Sequence, residues 1–385
     1  MELLLSDEQR AFRHAIREWS DAKYPKPRVL EIDNRGEFPE ELWKDMADMG
    51  FHGVGIDEEY GGQGGDVVMQ ALLAQGLARN LAGLASVWGV PSFAGAKTVG
   101  AAGTDDQKRE LLPKIAAGEL RVAMAVTEPS GGTDLLGGLR TRAVQSNGGW
   151  ALSGQKVWST GAHLSDYVLV LARSEQDAPA KKAMTLFLVP TDADGLTLRQ
   201  IPKLGIKPFG SNEVFLDDVR VSDDLILGER GAGWPALVAS LNNERIITAG
   251  FATGVLEGVL ESALEHVRER EAFGKPIGQF QALQHYIADM TAWRLQSELL
   301  TYYAARLQSE GRPCGTEATL AKLVTAEYAN QAADLGIQIL GGMGYSLETH
   351  MQRAWRDSRI FRIAPITSEM ARNVIAESHG LPRSF

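Results

Sequence analysis

Two short segments combine glycines with side chains that suit the binding of a flat heterocyclic ring. In AVTEPSGGTD the glycines allow backbone N–H groups to approach a ligand, and the hydroxyls of Thr127 and Thr133 can hydrogen-bond to ring heteroatoms. In GQKVWSTGA, Trp158 and Thr160 are two residues apart, a spacing that puts both side chains on one face of a strand. An indole and a hydroxyl could then flank a ring. Taken singly, however, an ordinary turn and a core tryptophan are the simpler interpretations.

Two further segments contain groups that suit phosphate. In REREAFGKPIGQFQALQ an arginine precedes a Phe-Gly break and a glutamine, and a guanidinium group matches phosphate oxygens in a planar fork. The same pattern also fits a charged helix end capped by Gly274 and followed by Pro276. The glycine-rich segment QILGGMGYS follows neither the dinucleotide-binding nor the Walker pattern, so by itself it is a weak phosphate signal.

The composition excludes several classes of protein. The chain has 385 residues, a charged fraction of 23% and a formal net charge of −10, which argues against nucleic-acid binding. Its single cysteine, Cys314, leaves no intramolecular disulfide, no CxxC redox pair and no multi-cysteine metal cage. There is no signal-peptide pattern and no uninterrupted apolar run of about 20 residues. We therefore expect a cytoplasmic protein with no metal site and no membrane span.

Helical signals dominate the first third of the chain. Ser6 to Gln9 matches a capping box, and Thr104 can cap another helix. Pro39 suits the first turn of a helix that Gly50 would end. The sequence therefore predicts a helical block before the ring-binding segments.

The pattern of apolar residues changes twice after that helical block. From about Arg121, short apolar runs rich in Val and Leu are separated by Gly, Asn-Gly and Pro, which predicts antiparallel strands. After Gly231 long helices return, the first with Pro235 in its first turn. Two more long helices are predicted, over 279–311 and 315–339. No internal repeat is present, so we expect one integrated fold.

Together the four segments resemble, in order and spacing, the motifs of the acyl-CoA dehydrogenase family. The resemblance extends from EEYGGQGG through TEPSGGTD, FGKPIGQFQ and LGGMGYS to RDSRI, and so covers essentially the whole chain. It implies an α+β fold with an N-terminal helical domain at 1–120, a middle antiparallel β domain at 121–229 and a C-terminal four-helix bundle at 230–385. It also implies FAD as cofactor, a homotetramer, and an electron-transferring flavoprotein or similar acceptor.

The resemblance also implies which residues bind the cofactor. Residues of the β block would hold the flavin ring: Met124, Val126, Thr127, Gly132, Thr133, Trp158 and Thr160. Residues of the C-terminal helices would reach the cofactor of a neighbouring subunit or its adenine-side phosphates: Arg270, Phe273, Gln281, Gln338, Gly341 and Gly342. Thr367 and Glu369 would close the site.

The family's reaction needs a base that removes a proton next to the thioester carbonyl while a hydride leaves the β carbon for the flavin. Most members carry this base as the Glu of a YEGT tetrapeptide, but this chain has APIT there, and Pro365 has no acid or base chemistry. Isovaleryl-CoA and long-chain acyl-CoA dehydrogenases instead place the base on a long helix, directly before an Arg. In LNNERIITAG that position is Glu244, with Asn242 and Arg245 implied, like Thr133, as substrate-binding residues.

Most Glu-Arg pairs on helices are simply solvated. Here the neighbours Leu241, Ile246 and Ile247 are apolar, as on a helix that faces a pocket. In a dry pocket the pKa of a carboxylate rises towards the operating pH, which suits a base. Pro365 also has no N–H, although in the family the backbone N–H at this position polarises the substrate carbonyl. A neighbour such as Ile366 would have to supply that donor.

The resemblance leaves the substrate and part of the chemistry open. Acyl-chain length is not readable from the residues, and some relatives oxidise a group carried on a carrier protein. An overall acidic enzyme would need a local basic patch to receive an acidic carrier. Other relatives are flavin-dependent oxygenases or flavoproteins implicated in DNA protection. The acidic total argues against the DNA role, and the full set of flavin motifs argues against a purely structural protein.

Overall fold

The computed structural model describes residues 5–146 and 148–383. A helical block comes first: α1 Asp7–Lys23, α2 Lys26–Arg35, α3 Glu40–Asp48, α4 Val67–Leu81, α5 Ser86–Pro91, α6 Thr98–Ala102 and α7 Asp105–Ala116. A sheet with one short helix, α8 Leu135–Gly138, follows: β1 Val122–Ala125, β2 Arg142–Ser146, β3 Gly149–Thr160, β4 Tyr167–Arg173, β5 Met184–Pro190, β6 Leu196–Ile201 and β7 Ser211–Ser222. The last block is helical with one small hairpin: α9 Gly233–Glu269, β8 Glu271–Ala272, β9 Lys275–Pro276, α10 Gln281–Ser309, α11 Gly315–Leu340, α12 Gly342–Tyr345, α13 His350–Ser358 and α14 Ser368–Ser378.

The helix boundaries follow the local signals with one shift. Ser6 and Thr104 each form the predicted capping box with a glutamine three residues on. Pro235 lies in the first turn of α9, and Gly50 adopts φ 69° just after α3 ends. Pro39 does not lie inside the first turn: it is the residue before α3, where its missing N–H costs no helical hydrogen bond.

Most strand pairs of the middle sheet are antiparallel, as predicted, but the β1–β4 and β2–β4 pairs are parallel, so the sheet is mixed. Its strand order is β1-β4-β2-β3-β7-β6. Strand β5 stands outside this order and pairs with β4 in antiparallel direction. The β1–β4 pair is parallel, with Val122 opposite Tyr167. Segment 126–166, which contains β2 and β3, connects these strands, and so long a connection lets the second strand return in the same direction.

Both faces of the sheet are buried, but against different partners. On β4 the residues Leu169 and Leu171 belong to an apolar cluster that also contains Leu237 of α9. The alternate residues Val168 and Val170 join a second cluster on the opposite face, with residues of β3 and β7. Side chains alternate along β4, so Leu169, Leu171 and every second residue lie on the α9 side of the sheet.

Helix α9 is held close against α4 by glycines. A Cβ at Gly250, Gly254 or Gly258 would lie 2.9, 2.2 or 2.0 Å from the carbonyl oxygens of Ala71, Gln75 and Arg79, one per helical turn. Only glycine allows so close a backbone approach. By length and hydropathy α9 could span a membrane, but 83% of its apolar window is buried inside the protein, as in the core helix of a globular protein. The close packing fixes α9 in the centre of the molecule.

The RDSRI motif joins the three blocks. The carboxylate of Asp357 on α13 accepts hydrogen bonds from Gly83 N (3.2 Å) and from Ile206 N (2.7 Å). Arg356 forms an ion pair with Asp33 at 2.6 Å, and Arg353 donates to the carbonyl of Leu81. The motif therefore links the two helical blocks to each other and to the loop that precedes β7.

Candidate active site

The two ring-binding segments lie side by side at one end of the sheet. The N–H of Val157 donates to the carbonyl of Thr127 at 2.9 Å, which joins the end of β3 to the segment after β1. Trp158 has φ 65° at a break in the β3–β7 register, and 58% of its surface is exposed. It is therefore not a core residue. The regular alternation that placed Trp158 and Thr160 on one face is interrupted there, because a register shift follows Lys156.

The predicted flavin contacts form a partly open ledge around this junction. Met124, Val126 and Thr127 are half-buried, and Thr160 is half-buried with its hydroxyl 3.0 Å from that of Ser211. Gly132 and Thr133, in the loop before α8, are exposed. Half-buried apolar groups and hydroxyls beside an exposed indole suit the flat, polar-edged ring of FAD, so the residues present fit that cofactor.

A buried ion pair missed by the sequence reasoning holds the ledge together. Lys156 Nζ lies 2.8 Å from Glu128 Oε1 and donates to the carbonyl of Val126 at 3.2 Å. The Glu128 carboxylate also accepts from the backbone N–H groups of Arg140 and Thr141, at 2.6 and 2.9 Å. Burial alone would raise the pKa of Glu128, but these partners together lower it. The signal in the sequence was a charged residue within each ring-binding motif.

Glu244 lies on α9, half-buried, with a very different environment. Among the residues that the structure describes, its carboxylate has no hydrogen-bond partner. Burial raises the pKa of Glu244 to about 7, although the charge of Arg245 opposes the rise. Burial also lowers the pKa of Arg245, whose guanidinium donates to Asn242 Oδ1 at 3.2 Å. The structure thus brings Asn242 and Arg245 together one turn apart and leaves Glu244 without a partner.

A helical segment that the sequence reasoning did not include passes in front of α9. Gly89 faces Ile247 and Phe251, while Ala96 and Leu237 share an apolar cluster, so α5 and α6 run antiparallel to α9. Between them the chain forms a π-helical turn at Ser92–Lys97. Val90, Phe93 and Lys97 are half-buried and lie at helical spacing, while most of the residues between them are buried. This stripe is the half-buried face of a segment that contacts α9.

The loop that carries the APIT sequence is held by contacts with α11 and α14. Thr367 caps α14, its hydroxyl accepting from Met370 N at 3.1 Å. The buried ammonium of Lys322 on α11 donates to the carbonyl of Ile366, and burial lowers the pKa of Lys322 to about 8. Within the described part of the chain the N–H of Ile366 donates to no protein acceptor. Glu369 is exposed, and hydrogen bonds from its own N–H and from Thr367 lower its pKa.

The remaining predicted cofactor residues lie on two other surfaces. Arg270 ends α9, Phe273 is 94% exposed at the tip of the β8–β9 hairpin, and Gln281 begins α10. Gln338, Gly341 and Gly342 lie where α11 ends and α12 begins. No hydrogen bond or ion pair between described residues joins either group to the flavin ledge. Their predicted role in a neighbouring subunit stays a prediction. No group of three or more His, Cys, Asp or Glu residues in 5–146 and 148–383 suits a metal.

Comparison with known proteins identifies the family. Models of the N-terminal, middle and C-terminal domains of acyl-CoA dehydrogenases match residues 6–119, 123–219 and 231–380. The chain is 34% identical to a probable acyl-CoA dehydrogenase of Bacillus subtilis, YngJ, over 98% of this chain and 99% of that protein.

Solved structures of the same fold agree. A glutaryl-CoA dehydrogenase from Mycobacterium smegmatis in complex with FADH2 superposes with a TM-score of 0.94 at 28% identity, covering 100% of this chain and 97% of that one. The prolyl acyl carrier protein oxidase AnaB does so with a TM-score of 0.91 at 27% identity, covering 98% and 100%. The chain therefore belongs to the acyl-CoA dehydrogenase family of flavoprotein oxidoreductases, and its cofactor is FAD.

Proposed function

We propose that this enzyme oxidises an acyl-CoA thioester to the 2-enoyl-CoA, with Glu244 as the base. The observation that carries the proposal is the state of the Glu244 carboxyl, which has no hydrogen-bond partner among the described residues and whose pKa is raised to about 7. A base is most effective when its pKa lies near the operating pH, because it is then both ionised and basic. Glu128, a carboxylate of the first ring-binding segment, is fully paired and cannot serve.

The proton and the hydride leave the substrate in different directions. The α C–H bond breaks towards Glu244, whose carboxylate becomes a carboxylic acid, and the α and β carbons become doubly bonded. The hydride that leaves the β carbon would be taken up by FAD, which the residues of the flavin ledge would hold. The charge of Arg245 favours the ionised carboxylate before the transfer.

The carbonyl of the thioester needs a hydrogen-bond donor as negative charge develops on it. Pro365 has none, so we assign this role to the N–H of Ile366. Two contacts support the assignment. Lys322 donates a hydrogen bond to the carbonyl of Ile366, and the next residue, Thr367, caps α14. These contacts fix the loop, so the donor is held in place before substrate arrives.

The wider assembly follows the family. We propose a homotetramer in the cytoplasm, with an electron-transferring flavoprotein or similar acceptor reoxidising the flavin. The domain limits 1–120, 121–229 and 230–385 are proposed on the same grounds. A carrier-bound acyl group is the second candidate substrate, supported by the likeness to AnaB.

Anaerobic titration of the purified flavoprotein tests the proposal. Straight-chain, branched and aromatic acyl-CoAs are added in turn while flavin absorbance is recorded. Bleaching by one class of acyl-CoA supports the proposed oxidation and identifies the acyl group. Bleaching only by the same acyl groups on a carrier protein supports the second candidate. If no thioester bleaches the flavin and the reduced enzyme inserts oxygen into a substrate, the dehydrogenase proposal is wrong.

A further inference from the structure

A polar cavity of about 470 Å³ lies between α1, α4, α9 and α10. Helix α9 lines it through Glu257, which lies about 20 Å further along the helix than Glu244, at about 1.5 Å per residue. The cavity has five arginines in its lining, three from α1, one from α4 and one from α10: Arg10, Arg13, Arg17, Arg79 and Arg294. We call it the arginine cavity. Such a lining favours negatively charged ligands.

The two glutamates of the lining are paired with arginines of the same cavity. Glu257 Oε1 lies 2.6 Å from Arg17 Nη1, and the other oxygen of Glu257 accepts a hydrogen bond from Gln75 at 2.8 Å. Glu298 Oε1 accepts from Arg294 at 2.8 Å and from Gln75 at 3.1 Å. Each of the two carboxylates therefore offsets the charge of one arginine and orients its side chain.

The arginines of the cavity have N–H donors to spare. A guanidinium group carries five such donors. Within residues 5–146 and 148–383, Arg294 donates one hydrogen bond, and Arg17 and Arg79 donate two each. Asp21 and Glu261 accept some of these bonds from outside the lining. Most N–H groups of the three arginines therefore have no acceptor in the described part of the chain, and a ligand rich in oxygen atoms would supply acceptors.

A buried hydrogen-bond network holds the arginines of α1 and α10 in place. Gln75 and Glu298 are only 3% and 2% exposed, and the hydroxyl of Tyr302 donates to Gln75 Oε1 at 2.5 Å. The amide of Gln75 donates to both glutamates of the lining, so one buried side chain orients the partners of Arg17 and Arg294. Guanidinium groups fixed in this way bind an oxyanion at a lower entropic cost than flexible side chains would.

We propose that the arginine cavity binds a small multivalent oxyanion, a phosphate or a polycarboxylate. Guanidinium groups match the oxygens of both in a planar fork, and several forks favour a ligand with more than one negative charge. The inference goes beyond the proposed oxidation and does not depend on it. Helices α1 and α4 belong to the first helical block, and α9 and α10 to the last. A bound anion therefore joins the two blocks and should stabilise the folded enzyme.

Calorimetric titration of the FAD-loaded enzyme with inorganic pyrophosphate and with citrate, in a phosphate-free buffer, tests the site. We expect saturable binding and a melting temperature that rises with the anion concentration. The R294Q/E298Q variant removes an arginine together with its buried partner, so that pair leaves no carboxylate uncompensated, and Kd should rise about tenfold or more. The E310Q/R312Q variant, which removes an exposed pair just after α10, is the matched control and should bind like the wild type.

A milder variant covers the case in which R294Q/E298Q does not fold. Arg10 pairs with Asp7, whose carboxylate is exposed, so R10Q should fold normally and weaken anion binding about threefold or more. The two probes also separate the possible ligands. Tighter binding of pyrophosphate identifies a phosphate ligand, and tighter binding of citrate identifies a polycarboxylate.

The proposal is wrong if neither anion binds saturably, or if R10Q and R294Q/E298Q both bind like the wild type. An equal rise in melting temperature with sodium chloride at the same ionic strength would show general screening instead of a site. Displacement of the anion by saturating CoA would show that it occupies the substrate site, which also overturns the proposal. Flavin reduction plays no part in these titrations, so their outcome is independent of whether the proposed oxidation holds.

Discussion

Glu128 and Glu244 have surroundings that shift the pKa of the carboxyl group in opposite directions. Glu128 in the flavin ledge accepts hydrogen bonds from two backbone N–H groups and from Lys156, so its pKa is lowered. Glu244 on α9 has only the charge of Arg245 beside it, and its pKa is raised to about 7. The first carboxylate is saturated and fixes two chain segments. The second is left free for a proton, which is the difference between a structural and a reactive group.

Replacing Glu244 should have the largest effect on activity. The E244Q variant keeps the size of the side chain but cannot accept the α proton, so we expect kcat with acyl-CoA to fall by about 10³-fold or more. FAD content should not change, because Glu244 does not belong to the flavin ledge. E265Q, an exposed glutamate on the same helix, is the matched control and should keep wild-type turnover. Wild-type turnover by E244Q would rule out Glu244 as the base.

Breaking the Glu128–Lys156 ion pair should affect stability rather than turnover. In K156M the buried Glu128 carboxylate loses its counter-charge, and we expect the free energy of unfolding to fall by about 3–5 kcal/mol. FAD should also bind less tightly, because Lys156 and Val157 join the two flavin segments. Chemical denaturation measures the first effect, and flavin fluorescence on dilution measures the second.

The double variant E128Q/K156M separates charge from packing. Without either charge the pocket holds an amide and an apolar chain, so most of the lost stability should return. If the double variant is less stable than K156M, the pair does not act through its charge.

The raised pKa of Glu244 should set the acid limb of the pH profile. Below about pH 7 the free enzyme carries a protonated carboxyl at this position, so kcat/KM should fall about tenfold per pH unit. Above that pH the limb should level off. Steady-state assays in buffers of constant ionic strength measure the profile. An acid limb near pH 4.5 would show that the carboxyl is not desolvated as the structure indicates.

The smallest predicted effect is a gain in stability on removing the reactive carboxylate. The folded pKa of Glu244 lies above the ordinary value of 4.5, so the wild type loses stability as the pH rises from about 4.5 to about 7, and the full cost is present above that range. At pH 8 we expect E244Q to unfold with a free energy about 1–3 kcal/mol higher than the wild type. Below about pH 4.5 the carboxyl is protonated in both states, and the difference should vanish. A gain that is independent of pH would point to packing rather than charge.

The same contrast explains what the sequence predicted and what it could not. The caps at Ser6 and Thr104 rest on interactions between residues three apart, and such signals survive folding. The parallel β1–β4 pair and the Glu128–Lys156 contact depend on residues distant in the chain, so no local pattern could reveal them. Trp158 shows both effects. Its spacing from Thr160 suggested a regular strand, whereas the register break that exposes it depends on the pairing of β3 with β7.

Glu244 itself was predictable only through resemblance. A Glu-Arg pair is common on solvated helices, and the apolar neighbours in LNNERIITAG were the one local hint of a pocket. The π-helical segment at Ser92–Lys97 carries no chemical motif, so no local pattern predicts its packing against α9.

The most direct test of the central claim follows the α proton alone. An acyl-CoA whose β carbon carries no hydrogen is incubated with the FAD-loaded enzyme in D2O, and NMR records exchange at the α carbon. Because no hydride can leave, exchange reports only proton removal. We expect rapid exchange by the wild type and E265Q and none above background by E244Q. Exchange by E244Q at the wild-type rate would contradict it.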